Sequence, residues 1–216
     1  MSRKIGIIGS GPVGRVLAEG FLRHGYDVMI GSREPSKLQE WQQNTGGKAQ
    51  SGTFEDVAAF GELLVLAVKG SAAKNALEMA GANNLNGKTI IDTTNPIADM
   101  APDNGVLHFF TDLDHSLMEQ LQAAFPDAHF VKAFNSIGNA YMVNPDFQGQ
   151  QPTMFICGNS TQAKHDVTQV LQQFGHDVAD MGGVEAARAI EPLCMLWCIP
   201  GFLQNEWSHA FRLLRA

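Results

Sequence analysis

Near the start of the chain, Gly9-Ser10-Gly11-Pro12-Val13-Gly14 fits the spacing G-x-G-x-x-G, directly after the apolar run Lys4-Ile5-Gly6-Ile7-Ile8. A short apolar run ending in glycines reads as a buried parallel strand. Val13, Val16, Leu17 and Phe21 then recur at helical spacing over 13–24, and Gly25 supplies a stop. Asp27-Val28-Met29-Ile30 reads as a second strand. Strand, glycine turn, helix and strand within about 30 residues form a βαβ unit, the context the motif requires. In that context each glycine has a physical task. Gly9 permits the tight turn out of the strand, Gly11 lets backbone approach a pyrophosphate, and Gly14 lets the helix pack on the sheet. The helix N-terminus offers free N–H groups to phosphates, and Pro12 loses nothing there. The unit is therefore expected to bind a dinucleotide through Gly9, Ser10, Gly11, Pro12, Val13 and Gly14.

The alternation continues. A helix is expected over 36–43 after Pro35, and a short strand over 48–50. Further strands are expected over 63–68, 89–92, 129–134, 154–157 and 176–179, and further helices over 71–79, 116–125 and 162–174. The stretch 97–110 lacks periodicity and reads as a loop. From about Val184 the chain reads as mostly helical, with Pro192 and Pro200 as kinks or breaks. Such alternation implies an α/β fold, a Rossmann-type doubly wound, mostly parallel sheet with a small helical C-terminal extension. The division expected is 1–182 for the dinucleotide-binding unit and 183–216 for the helical extension, a candidate dimer contact. The chain's 216 residues and 44% apolar content suit a domain with a sizeable core.

The second strand runs out into Gly31-Ser32-Arg33, with Lys37 four residues further. An NAD-binding unit normally places a carboxylate at this tip for the ribose 2′-OH. A hydroxyl and a guanidinium would instead bind a 2′-phosphate, and Lys37 adds a second positive charge. The other reading is a solvated pair with Glu34, worth little. Position favours Ser32, Arg33 and Lys37 as a 2′-phosphate site, and NADP(H) over NAD(H).

Taken together, Ile7 to Gly14, Gly31-Ser32-Arg33 with Lys37, Thr94-Asn95-Pro96, Lys132-Ala133-Phe134-Asn135, and 182–188 with Glu191-Pro192 resemble the NADP oxidoreductases of the coenzyme F420-dependent (deazaflavin) type. The reductase domains of the STEAP metalloreductases are more distant relatives. The resemblance covers nearly the whole chain. It implies hydride transfer between NADPH and a flavin or deazaflavin acceptor stacked on the nicotinamide. It also implies nicotinamide-side contacts from Ala67-Val68-Lys69, Asn95-Pro96 and Ala133-Phe134-Asn135. Archaeal deazaflavin reductases of this kind tend to carry His where Asn135 stands, which leaves the acceptor open.

Hydride transfer between two rings needs no protein nucleophile, only positioning and exclusion of water. The catalytic residue is therefore unknown from sequence. Asn135 is a candidate for orienting a carboxamide or acceptor ring, or simply a polar cap after a strand. Two other functions fit: reduction of a small carbonyl or imine substrate, and a non-catalytic NADPH-binding regulatory module. A net charge of −7 with scattered Lys and Arg speaks against nucleic-acid partners. No apolar run is expected to reach membrane-spanning length, and a start without a signal-like segment suggests a cytoplasmic protein. Three cysteines suggest no disulfide framework. None of the seven histidines has metal-ligand spacing, so no metal is expected. The apolar stripe Leu193, Leu196, Trp197, Phe202, Leu203 is expected to be core or, preferably, a homodimer surface.

Overall fold

In the computed structural model, which describes residues 3–215, strands and helices alternate throughout. They are β1 (Lys4–Ile8), α1 (Pro12–Arg23), β2 (Asp27–Gly31), α2 (Gln39–Asn44), β3 (Ala49–Gly52), α3 (Phe54–Phe60), β4 (Leu63–Leu66), α4 (Ala73–Ala80), α5 (Ala82–Leu85) and β5 (Thr89–Asp92). There follow α6 (Leu117–Ala124), β6 (His129–Lys132), β7 (Thr153–Ile156), α7 (Thr161–Gln173), β8 (Asp177–Asp180) and α8 (Ala187–Gln204). Residues 1, 2 and 216, the outermost positions of the two expected units, lie outside the described residues.

Six strands make one parallel sheet in the order β3-β2-β1-β4-β5-β6. β1 lies at its centre, with Ile7 level with Ile30 of β2 and Val65 of β4. The order reverses between β1 and β4, and ligands of such sheets bind beyond the strand carboxyl ends at that reversal. Both faces are covered, so the strands read as continuous apolar runs. Ile5, Ile7, Val65 and Val131 pack on one side with Phe21 of α1 and Val170 of α7. Ile8, Leu64, Leu66 and Phe130 pack on the other with Leu77 of α4, Leu121 of α6 and Ile190 of α8. Each fully buried side chain of this size stabilises the fold by about 1.5–3 kcal/mol. The expected doubly wound α/β fold is what forms.

Several local expectations are corrected. The 54–60 segment, unassigned from sequence, is helix α3. Its start is a capping box: Thr53 Oγ1 accepts from Asp56 N at 3.1 Å while Asp56 Oδ2 accepts from Thr53 N at 2.9 Å. β7 and β8 form a separate parallel pair, joined to the main sheet by an antiparallel bridge in which Lys132 N donates to Cys157 O at 3.0 Å. Pro192 and Pro200 do not break α8. Each withholds one N–H, from the carbonyls of Arg188 and Leu196. Burial of Ile190, Glu191, Cys194 and Trp197 along the same helix offsets that loss.

The helical extension stops at Gln204, where Asn205 turns left-handed at φ 54°. Residues 205–215 then fold back without helix. Phe211 O accepts from Thr153 N at 2.9 Å, and Leu213 N donates to Thr153 Oγ1 at 3.0 Å, so this tail lies beside β7. The expectation about apolar runs is also corrected. The helical stretch Val184–Gln204 is long and apolar enough, by length and composition, to cross a membrane. In this fold its inner side is docked on the sheet layer through Ile190 and the buried, ion-paired Glu191.

Candidate functional site

The site is best followed from β1 outward along the strand tips. Gly9 sits at φ 123°, a conformation open to glycine and hardly to other residues, and a Cβ there would strike the Ala67 carbonyl. A Cβ on Gly14 would overlap the Gly9 carbonyl. These two positions fold the loop tightly against β1 and the end of β4. A Cβ on Gly11 would meet nothing within 4 Å, so its bare backbone faces open space. Gly11 is also the N-cap of α1 and makes no side-chain cap, leaving first-turn N–H groups free for an anion. Arg15, which sequence reasoning passed over, folds its Nε onto Ser10 O at 3.0 Å and brings a cation to this loop.

At the tip of β2, Ser32 N donates to Gly52 O, and Ser32 Oγ accepts from Glu34 N at 3.1 Å. The hydroxyl proton is thus still free to donate. Arg33 is exposed and makes no hydrogen bond or ion pair within the described residues. Lys37 pairs with Glu34 at 2.8 Å, both side chains largely in water. That hydrogen bond holds the Glu34 carboxyl below its ordinary range. Both readings of this cluster are therefore present: Lys37 is engaged by Glu34, and Arg33 is available.

The tips of β4, β5 and β6 converge. A Cβ on Gly70 would overlap the Asn95 carbonyl, which sets the turn after Lys69 against the β5 tip. Asn95 Nδ2 donates to Asn135 O at 2.8 Å, and Asn135 Nδ2 donates to Asn95 Oδ1 at 3.2 Å and to Ile190 O at 2.9 Å. Ala67, Val68, Lys69, Asn95, Pro96 and Asn135 are thus brought to one side of the sheet with the glycine loop. Ala133 and Phe134 differ from the rest. Their side chains are buried in the core, Phe134 against Phe174 and His176, so they can offer a ligand backbone only. Phe134 holds φ 62°, unusual for an aromatic residue, at the point where the chain leaves β6.

Beneath these tips lies a charge cluster that sequence reasoning missed. Lys132 Nζ is fully buried, 2.7 Å from Asp92 Oδ2 and 2.9 Å from Glu191 Oε1, and donates to Thr94 O at 2.8 Å. Asp92 Oδ1 accepts from Thr94 N at 2.9 Å and Thr94 Oγ1 at 2.7 Å. Glu191 accepts from Leu117 N at 2.9 Å and Met118 N at 3.0 Å, closing the N-terminus of α6. Burial disfavours the ammonium, but the two carboxylates outweigh it and hold Lys132 charged, its pKa raised. The signal was present in the sequence. A Lys and an Asp inside apolar strand runs must be paired if those strands are buried.

These residues fit a dinucleotide. The loop offers free N–H groups and Cβ clearance, and Arg33 stands exposed at the tip of β2. Among the described residues no group of three His, Cys, Asp or Glu is placed to hold a metal.

Comparison with known proteins agrees. The family model for NADP oxidoreductase, coenzyme F420-dependent, matches residues 4–96. A crystal structure from Arthrobacter sp. FB24, assigned as an F420-dependent NADP reductase, is 33% identical, with TM-score 0.92, over 99% of this chain and 100% of that one. Metalloreductase STEAP3 of Rattus norvegicus is 30% identical over 206 residues, 93% of this chain, and the chain spans only 39% of that protein's length. A reductive aminase from Aspergillus terreus, solved with NADPH and ethyl levulinate, shares the fold at 16% identity and TM-score 0.66, over 95% of this chain and 63% of that one. From the glycine loop through the strand tips to the last helix, the chain belongs to the coenzyme F420-dependent NADP oxidoreductase family and is an NADP-dependent oxidoreductase.

Proposed function

We propose that this oxidoreductase passes a hydride between NADPH and a flavin or deazaflavin acceptor. The observation that carries the proposal is an aromatic cluster three residues along the chain from Asn135. Trp197 lies 3.0 Å from where a Cβ on Gly138 would stand, and its ring packs on Trp207 and His209, with Phe202 edge-on to Trp207. Trp197 itself is buried, while Phe202 and Trp207 keep ring surface open beside it, and flat aromatic rings suit a planar acceptor better than a small carbonyl compound. The full-length likeness to the Arthrobacter protein supports the same acceptor class.

In this proposal Gly9, Ser10, Gly11, Pro12, Val13 and Gly14 cradle the pyrophosphate, and Ser32, Arg33 and Lys37 take the 2′-phosphate. Ala67, Val68, Lys69, Asn95, Pro96, Ala133, Phe134 and Asn135 border the nicotinamide half. When bound, NADPH supplies the hydride. The chain's own part is to align the two rings and keep water out. The Asn95–Asn135 clamp and the Lys132 cluster below it hold the floor of the crevice still.

We further infer a cytoplasmic homodimer. α8 leaves Leu196, Phe202 and Leu203 about half exposed, and Val106 and Phe110 of the 97–110 loop lie exposed as well. Gly105 of that loop packs on Leu203, which joins the two sets into one apolar face suited to a second copy. Sedimentation of the purified protein and of Leu203→Glu tests this. A dimer that the variant dissociates supports it, and a wild-type monomer overturns it.

The activity is tested by calorimetric titration with NADPH and NADH, then by adding coenzyme F420, FMN or FAD and following the nicotinamide absorbance. Tighter binding of NADPH, with oxidation driven by one of these acceptors, supports the proposal. Oxidation by a carbonyl or imine compound alone overturns it, as does NADPH binding without turnover by any acceptor.

A further inference from the structure

Of the three cysteines, Cys157 and Cys194 are buried and Cys198 is partly open to solvent. Cys157 is a core side chain. Its thiol donates to Met118 Sδ at 3.8 Å, and burial pushes its pKa up to about 12. Cys198 differs in place and in company. α8 packs on the sheet through Ile190 and pairs Glu191 with Lys132 at the end of β6. It then runs on past the strand tips, where Trp197 packs on Gly138. Cys194 and Cys198 follow Glu191 by three and seven residues, so they share the helix face that is turned to the sheet. At 1.5 Å per residue, that face has by Cys198 risen about 10 Å beyond Glu191 and overhangs the β5–β6 tips. The exposed Leu196 and Leu203 point the other way.

The Cys194 thiol donates to the Cys198 sulfur and holds the Cys198 pKa below the usual thiol range, against the effect of burial. Residues four apart on a helix keep their Cβ atoms about 5–6 Å apart, whereas a disulfide needs roughly 3.5–4.5 Å. The pair therefore stays donor and acceptor and does not close on itself. We propose that Cys198 is a modification site, where a low-molecular-weight disulfide exchanges and lays its adduct across the acceptor end of the crevice. Only the consequence for turnover rests on the acceptor site proposed above. In the exchange, Cys198 gives its proton to solvent and its thiolate attacks one sulfur of the disulfide. The reagent's S–S bond breaks, a new one forms to Cys198, and the other half leaves as thiolate. Cys198 is oxidised, the departing half is reduced, and an added thiol reverses the step.

The test treats the folded protein with oxidised glutathione, locates the adduct by peptide mass spectrometry, and follows NADPH oxidation by coenzyme F420, FMN or FAD before and after. The expected result is an adduct on Cys198 formed at least about tenfold faster than on Cys157 or Cys194. Turnover should fall about tenfold as the adduct displaces the acceptor, and dithiothreitol should restore it. Cys194→Ala should slow the exchange about threefold, because Cys198 loses its donor. Cys198→Ser should hold its own rate through the treatment. An adduct that forms first on Cys157 or Cys194, or only after denaturation, overturns the proposal, as does a full adduct on Cys198 that leaves turnover unchanged. Absence of turnover with every acceptor in untreated protein sinks the acceptor reading instead, and the adduct map still decides the role of Cys198.

Discussion

At the tip of β2 the charges stand in water, and at the tips of β5 and β6 they are sealed. The Lys37 and Glu34 side chains are 70% and 62% exposed, whereas those of Lys132 and Asp92 are 0% and that of Glu191 is 2%. The same kind of pair thus does different work at the two ends of one crevice. Exposed groups are free to exchange partners when an anion arrives, and they contribute little to stability meanwhile. Buried groups cannot exchange. They fix the backbone of Thr94 and close α6, and removing one strands the others. Changes at the β2 tip should therefore read out in affinity, and changes at the β5–β6 tips in stability.

The largest effect is expected from Lys132→Met, which leaves Asp92 and Glu191 facing each other unpaired in the interior. Urea denaturation should show a loss of about 3–5 kcal/mol. A loss under 1 kcal/mol would mean the cluster is not the rigid floor described. Next comes Arg33→Ala. NADPH binding should weaken about thirtyfold, the worth of a charge-assisted contact to phosphate, with NADH binding little changed and stability within about 0.5 kcal/mol. A matching loss for NADH would remove the distinction between the two ends.

A smaller effect is expected at Glu119, which joins the start of α6 to Arg188, with Arg188 Nε 3.0 Å from Oε2. That guanidinium holds the Glu119 carboxyl at about 2, below its usual 4.5. The folded value is the depressed one. The contribution is therefore complete above about pH 4.5 and is lost as pH falls towards and through about 2. Glu119→Gln should cost about 1 kcal/mol at pH 7, after allowing for solvent around Arg188, and clearly less near pH 2. Denaturation at the two pH values checks it. The smallest effect belongs to Lys37→Ala. Because Lys37 already answers Glu34, NADPH affinity should fall only about threefold. A loss as large as that of Arg33→Ala would show that Lys37 abandons Glu34 for the ligand.

The same contrast explains what could be read from the sequence. The glycine loop and Ser32-Arg33 lie within one βαβ unit, so their spacing carries their geometry. The parallel sheet followed from apolar runs separated by helical periods, but eight strands were expected and β7 and β8 pair apart from it. Helix α3 escaped because it is short, although Thr53 and Asp56 carried a usable capping signal. Kinks or breaks were expected at the prolines of α8 because local rules count the missing N–H and not the tertiary contacts that offset it. The Asn135 environment was out of reach for a further reason. Its partners Asn95 and Ile190 lie 40 and 55 residues away, and Glu191 meets α6 across 74 residues. No local spacing encodes such meetings, which only the closed sheet brings about.

Glu191 also bears on the order in which the molecule assembles. Asp92 and Lys132 are register partners on adjacent parallel strands, so pairing β5 with β6 already brings opposite charges together. Glu191 then carries one more negative charge inside, and its compensation requires both the finished strand pair and the exposed end of α6. Docking of α8 is accordingly expected to come late in folding, after the transition state. Contacts formed that late govern the unfolding rate far more than the folding rate. On that order of events the last helix would act as a latch, setting how long a folded molecule persists rather than how quickly it forms.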